Sequence, residues 1–330
     1  FQKLPLFSGL SCAAAGLAFQ FSPGRSRRLL AAAAMLGGAA ACLAATAGWS
    51  TLLAAAVAFR YTTIPPPPSF AAFRESVEKD LIVRYRRDDT VATVLVGESI
   101  LHRTRSLQIN GKHDASTGQD TETQVLLGQL GPLLHPREVR RALVIGLGSG
   151  ITAASVLTHG VERLDVVEIS PAVVEAAGEF AAFNRRALED PRAHVYVEDA
   201  KTFIGLAPAR YDLVVSEPSN PWVAGVSGLY TREFFRSVAQ RLEPDGLLVQ
   251  WIHAYEADTE MIRLVLRTVR ETFPYATGWV GPRDLILVAS REPTELVPER
   301  IAARMRQPKV ADDLARIQLR DVVTLLAKQV

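Results

Sequence analysis

The sequence predicts an α/β protein: a mostly parallel β-sheet covered by helices on both faces, a small β-domain ahead of it, and transmembrane helices ahead of both. Three observations carry this. From Arg141 onward, short runs rich in Val, Ile and Leu alternate with amphipathic segments, the pattern of strand–helix units in a doubly covered sheet. A glycine turn, Gly146-Leu147-Gly148-Ser149-Gly150, follows the first of these runs. Residues 4–22 and 29–59 contain no charged side chain, and each reaches the roughly 20 residues that a bilayer span needs, the first only just.

Composition narrows the function classes. The 330 residues carry 37 Lys+Arg against 35 Asp+Glu, which leaves no basic footprint for nucleic acid. The two cysteines, Cys12 and Cys42, lie in the apolar end, so a disulfide framework and a cysteine-based metal site or nucleophile downstream are excluded. Five of the basic residues (Lys3, Arg25, Arg27, Arg28, Arg60) and none of the acidic ones fall in 1–64, so residues 65–330 carry a net charge of −3. A basic excess at the hydrophobic end is what membrane flanks show. The alternative is an Ala-rich helical hairpin buried in protein, but such helices keep a polar stripe and these have none. A signal peptide fits less well, because the first stretch runs straight into Pro23-Gly24-Arg25 and a longer apolar segment. The expected organisation is a transmembrane segment (1–62), a Pro-rich linker (63–80), a small β-domain (81–118), a nucleotide-binding catalytic domain (119–291) and a helical tail (292–330).

The elements follow in order. The prolines at 65–68 make a stiff, extended spacer. Residues 90–96 and 100–109 alternate as strands, with a turn over 109–112, and 121–131 reads as a helix. Strands follow at 142–148, 163–170, 193–200, 211–218 and 246–252. Helices begin at Ile151 and at Pro171, where proline suits a first turn, and cover 231–243 and 258–272. Residues 275–280 and 285–290 read as a closing hairpin. Ligands on such sheets bind beyond the carboxyl ends of the strands, where Gly146 to Gly150, Glu168, Asp199 and Glu217 fall.

Glycines at a strand–helix turn let a ligand approach the backbone, though a plain tight turn would read the same way. Glu168 adds to the signal, because an acid at the end of the second strand hydrogen-bonds ribose hydroxyls. Ile151 breaks the dinucleotide pattern of a third glycine and disfavours NAD. Asp199, with Ala200, puts a carboxylate where an adenine amino group would sit; a helix N-cap is its other reading. Together they describe a Rossmann-like, methyltransferase-type sheet with a pocket for an S-adenosylmethionine-type ligand.

Through the Ile109-Asn110-Gly111 turn, the glycine turn, VVEIS (166–170), EDA (198–200), YDLVVSEPSNPW (211–222) and LLVQW (247–251), residues 80–290 resemble the spermidine synthase (polyamine aminopropyltransferase) family, in its membrane-fused bacterial branch. The resemblance implies transfer of an aminopropyl group from decarboxylated S-adenosylmethionine to an amine, with methylthioadenosine released and no metal. It implies that Gly146, Gly148, Ser149 and Gly150 cradle the donor, with Gln124 at the family's donor-binding glutamine, Glu168 at the ribose, and Asp199 and Ala200 at the adenine. The chain departs from the family at Ser149, where an aspartate is usual, at Glu217 and Asn220, which replace two catalytic aspartates, and at Thr123 and Trp279, which replace acceptor-binding tyrosines. Asp114 is a candidate to restore one charge, a solvated turn being the plainer reading.

The sequence places Glu217 as the carboxylate that takes the amine proton, with Asn220 beside it; a turn cap is the structural alternative. Residues 219–230 read as a loop closing over the acceptor, with Trp222 and Trp279 as aromatic walls, although a core position is commoner for tryptophan. The histidines show no metal-ligand spacing. Two other classes stay open: methyl or aminocarboxypropyl transfer from intact S-adenosylmethionine, and a non-catalytic nucleotide-sensing membrane module. Expected partners are a small-molecule amine and the lipid bilayer, with a homodimer left open. Arginines flank both ends of 29–59, so charge does not fix the topology, and a chain opening at Phe1 leaves the number of spans open. A cytoplasmic donor places the catalytic domain on the cytoplasmic face of a multi-pass protein of the bacterial inner membrane.

Overall fold

The computed structural model describes residues 69–206, 209–221, 223, 225–254 and 257–330. Of the described residues, 69–78 belong to one unit and Lys79–Val330 to a second. Helix α1 (Phe70–Asp80) follows Ser69, whose hydroxyl accepts from the Ala72 N–H at 3.2 Å, so the expected linker is helical from Phe70 on.

The membrane expectation requires correction. No helix among the described residues is long and apolar enough to cross a membrane. The longest of them, α2 (Asp120–Leu134), has 15 residues, and at about 1.5 Å per residue it falls well short of a hydrocarbon layer of about 30 Å. The stretches 4–22 and 29–59 lie outside the described residues. The transmembrane helices expected ahead of the fold, and the multi-pass inner-membrane placement and bilayer partner that followed from them, are therefore not upheld, and the membrane-fused branch of the resemblance loses its support.

The second unit opens with an antiparallel meander of β1 (Leu81–Asp88), β2 (Thr93–Ser99), β3 (Arg105–Ile109) and β4 (Lys112–Ser116). Its strands are displaced from the expected 90–96 and 100–109 because two aspartates organise the turns. Asp89 accepts from the Val91 and Ala92 N–H groups, both at 2.7 Å, and Asp80 accepts from the Leu101 N–H at 2.8 Å. The turn expected at 109–112 is a two-residue hairpin, with Asn110 and Gly111 both at positive φ (51° and 78°).

A seven-stranded sheet follows, ordered β10-β11-β9-β8-β5-β6-β7. The strands β5 (Arg141–Ile145), β6 (Arg163–Glu168), β7 (Ala193–Val197), β8 (Tyr211–Ser216) and β9 (Leu242–His253) run parallel, and the hairpin β10 (Tyr275–Val280)–β11 (Asp284–Ser290) adds antiparallel at one edge. Alternate side chains feed two cores: Val144, Leu213, Val215, Val249 and Ile286 one, and Leu143, Val214, Leu248 and Leu287 the other. Helix α2 is buried from Thr123 to Leu134 in the first core.

The crossover helices start where their caps dictate. Ser170 accepts from the Val173 N–H ahead of α4 (Pro171–Ala176), which follows α3 (Ile151–Leu157). Beyond α5 (Ala200–Leu206), Thr231 caps α6 (Arg232–Arg241) and Asp258 caps α7 (Thr259–Arg270). The tail forms α8 (Pro298–Met305), α9 (Pro308–Ala315) and α10 (Val322–Leu326), which return Ile301, Met305, Val310, Leu314 and Leu325 to the first core.

Candidate active site

Strand order reverses between β5 and β8, which opens a crevice at their carboxyl ends. Two backbone bonds define it: the Glu217 N–H donates to the Ile145 carbonyl at 2.8 Å and the Gly146 N–H to the Val167 carbonyl at 2.9 Å. Gly146 takes φ +85°, and a Cβ there would lie 2.6 Å from the Glu217 carbonyl oxygen, so only glycine allows β8 to end this close to the turn. A Cβ at Gly148 would lie 3.5 Å from Glu217 Oε1 and 3.9 Å from Ala115 Cβ; the turn, the carboxylate and β4 thus meet at one place.

The glycine turn is braced from three sides. Glu168 accepts from the Leu147 N–H with Oε2 at 3.0 Å and from the Ser170 N–H with Oε1 at 2.9 Å. Asn184 donates to the carbonyls of Ser149 (2.8 Å) and Ala177 (2.9 Å). Gln124, fully buried, accepts from the Ser149 hydroxyl and donates to the Ser116 carbonyl at 2.9 Å. Gln124 and Ser149 are thus bonded to each other, and together they tie α2, β4 and the turn.

Three carboxylates share the crevice. Glu217 is 8% exposed, and its Oε2 has no hydrogen-bond partner among the described residues. Burial pushes its carboxyl up to about 8; the Thr152 hydroxyl opposes the shift, and the neighbouring charges of Glu168 and Asp114 add to it. Burial also raises Glu168, against the backbone N–H groups that stabilise its charge. Asp114 is held by Lys112 Nζ and by the Ser219 hydroxyl at 2.7 Å, both on Oδ1. It is a structured partner of the 217–220 loop rather than a solvated turn.

The other candidates divide. Asn220 is fully buried beside Glu217, and neither its Oδ1 nor its Nδ2 has a hydrogen-bond partner among the described residues. A buried amide left open in this way suits a bound polar ligand. Asp199 accepts from the Thr202 N–H at 3.0 Å and hydroxyl at 3.1 Å, which is a cap on α5, where Ala200 is the first residue. Thr123 donates to Asp284 at 2.8 Å. Trp279 is 1% exposed in the first core, its indole N–H on the Thr277 hydroxyl at 3.0 Å, so it is placed as a core residue and not as a pocket wall. Trp222 lies outside the described residues.

Sequence reasoning missed four groups. Asn184, Lys112, Asp284 and His253 sit at turns or strand ends where no periodic pattern marks them. The His253 imidazole Nε2 lies 3.3 Å from the Pro218 carbonyl, its Nδ1 lies 3.9 Å from Asp284 Oδ1, and the Trp251 ring stacks on it at 3.9 Å. The lone signal was Asp284, an acid opening an otherwise apolar strand.

Among the described residues no group of three or more His, Cys, Asp or Glu is placed to hold a metal ion. Residues 122–280 match the model of the spermine/spermidine synthase domain. The chain is similar to the polyamine aminopropyltransferase of Alkaliphilus oremlandii, 31% identical over 146 residues, which are 43% of this chain and 51% of that protein. It is 34% identical over 145 residues to the polyamine aminopropyltransferase of Lachnospira eligens, covering 43% of this chain and 50% of that one. The chain thus spans about half the length of these curated relatives. Its fold resembles that of a spermidine synthase solved in complex with the transition state analogue AdoDATO, with a TM-score of 0.62, 19% identity, and coverage of 72% of this chain and 85% of that one.

Proposed function

We infer, for a chain whose residues 122–280 match the model of the spermine/spermidine synthase domain, that the protein is an aminopropyltransferase. It moves an aminopropyl group from decarboxylated S-adenosylmethionine to an amine and releases methylthioadenosine. The observation that carries this reading is Glu217: a buried carboxylate with an unpartnered oxygen, raised to about 8, at the switch point and facing the glycine turn.

The acceptor arrives as an ammonium, which has no lone pair. Glu217 pairs with it and takes one proton, so that the nitrogen attacks the methylene carbon next to the sulfonium. A C–N bond forms as the C–S bond breaks, the sulfur keeps that electron pair as a neutral thioether, and the positive charge passes to the new secondary amine. A carboxyl raised to about 8 is basic enough to accept that proton and returns it readily to solvent afterwards. Glu168 suits two ribose hydroxyls, because each oxygen has one backbone N–H and room for a further donor.

Ser149 supports a second reading. Its hydroxyl points to Gln124, so the turn sets no anion against a methionine carboxylate, and transfer of a methyl or aminocarboxypropyl group from intact S-adenosylmethionine stays chemically accessible. Incubation with each donor and a panel of amines, followed by mass measurement of both products, tests the two. Methylthioadenosine with an aminopropylated amine is the expected result; adenosylhomocysteine with a methylated amine, methylthioadenosine with an aminocarboxypropylated amine, or no product from either donor, overturns the assignment.

A further inference from the structure

The turn that carries Glu217 is held one residue at a time by groups from different elements. The Glu217 N–H is on the Ile145 carbonyl at 2.8 Å. The Ser219 carbonyl accepts from the Tyr230 hydroxyl at 3.1 Å, and the Ser219 hydroxyl donates to Asp114 at 2.7 Å. Pro218 stands between them. It has no N–H, so hydrogen bonding can fix it through its carbonyl alone. That carbonyl is met by His253 Nε2, at 3.3 Å, from the end of β9.

A carbonyl only accepts, so Nε2 carries the hydrogen. The ring is fixed for that task. It is 1% exposed, it packs on the Trp251 ring with 3.9 Å between centroids, and Asp284 Oδ1 stands 3.9 Å from Nδ1. Asp284 is itself held by the hydroxyl of Thr123, the residue before Gln124, which braces the glycine turn. Pro218 is buried. Loss of the Nε2 hydrogen would strand its carbonyl away from water, and the turn would have to open for water to reach it. Such an opening also wets the carboxylate on the neighbouring residue.

We propose that His253 is a positioning residue for Glu217: through the Pro218 carbonyl it holds the turn closed, which keeps the Glu217 carboxylate buried and fixed against the glycine turn. The catalytic consequence rests on the aminopropyl-transfer reading, because a reacting group misplaced by about 1 Å can lose about 100-fold in rate. The groups that face Glu217 are Glu168 from β6, Asp114 with Lys112 from β4, and the Thr152 hydroxyl from α3. A substitution at His253 alters none of them, so the Glu217 titration reports the turn itself.

Three variants of the full chain test this. His253→Phe keeps a ring against Trp251 and removes the donor. The amide nitrogen in His253→Gln reaches about as far as Nε2, whereas that in His253→Asn stops near Nδ1. Carboxyl carbon-13 NMR on glutamate-labelled protein, with Glu217 assigned through Glu217→Gln, reads the titration without turnover. The midpoint should lie near 8 in wild type and His253→Gln, and lower by about one pH unit or more in His253→Phe and His253→Asn, where water reaches the carboxylate. Turnover of decarboxylated S-adenosylmethionine with an amine should fall about 10- to 100-fold in the same two variants and recover in His253→Gln, with methylthioadenosine affinity unchanged. An unchanged titration in His253→Phe and His253→Asn, or an equal loss in all three variants, overturns the proposal. If His253→Phe does not fold, the comparison of His253→Asn with His253→Gln decides alone. Titrations that move as stated, in a wild type that forms no aminopropylated product, would uphold the positioning and remove the transfer reading.

Discussion

Glu217 carries the sharpest expectations at the scale of single residues. Its carboxyl, raised to about 8 from an ordinary 4.5, is protonated at pH 6 and cannot accept a proton there. kcat/KM should rise through an acid limb near pH 8, and Glu217→Gln should abolish that limb and lower turnover by roughly 10²–10⁴-fold while leaving donor affinity intact. A pH profile unchanged in the variant would remove Glu217 as the base. The same shift has a stability sign. The folded state binds this proton more tightly than the unfolded chain, so stability falls as pH rises from the ordinary carboxylate range through 8. Glu217→Gln should therefore melt higher relative to wild type at pH 9 than at pH 5, as thermal melts at the two pH values would show. Glu168→Ala should weaken methylthioadenosine binding by about 1–3 kcal/mol, because ribose hydroxyls lose their acceptor; equal affinities by calorimetry would contradict the ribose assignment. Both carboxylates were legible in the sequence because each ends an apolar run. Lys112 and Asn184 were not, since their roles arise from contacts between segments far apart in the chain.

Elements were legible where the pattern is periodic and illegible where turns decide. The parallel strands announce themselves as continuous apolar runs, and α4, α6 and α7 by Ser170, Thr231 and Asp258 at their caps. The meander misled because β1 is half exposed and carries Arg84, Arg86 and Arg87, a composition that reads as surface loop. Helix α2 carries a demand the sequence did not reveal. A Cβ on Gly128 would lie 2.5 Å from both Ser155 Cβ and the Thr152 carbonyl oxygen, so α2 and α3 touch through that missing side chain. Backbone cannot yield as a flexible side chain does. Gly128→Ala should cost about 1–3 kcal/mol of stability, read as a lower urea midpoint at unchanged slope. Thr152 also donates to the Gln124 carbonyl at 3.2 Å, so the same change should displace the Gln124–Ser149 brace and weaken donor binding. An unchanged midpoint would mean that the two helices separate freely.

Across the second unit, the tail after β11 closes the fold onto the helix that bears the site. Gln129, in the middle of α2, donates to Asp313 of α9 at 2.8 Å, and neither residue reaches solvent. Arg304 of α8, 5% exposed, donates through Nη1 to the carbonyls of Pro132 at 2.9 Å, Leu133 at 3.2 Å and His135 at 2.5 Å. These are carbonyls that the end of α2 leaves without intrahelical partners, and the negative pole of the helix favours a cation there. Burial opposes this by lowering the pKa of the guanidinium, and the Glu138 carboxylate at 3.6 Å partly offsets that. A helical tail was expected over 292–330, but nothing in its sequence says that one arginine caps a helix about 170 positions earlier. Removing the guanidinium strands several buried acceptors at once. Arg304→Met keeps the apolar stem and should still cost about 2–4 kcal/mol, lowering Tm by roughly 5–15 °C for a unit of this size. Because α2 holds Gln124 against the glycine turn, donor affinity should fall with it, by less than in Glu168→Ala. A melt within 2 °C of wild type, with donor binding unchanged, would show that water satisfies the end of α2 and that the tail is attached without supporting the site.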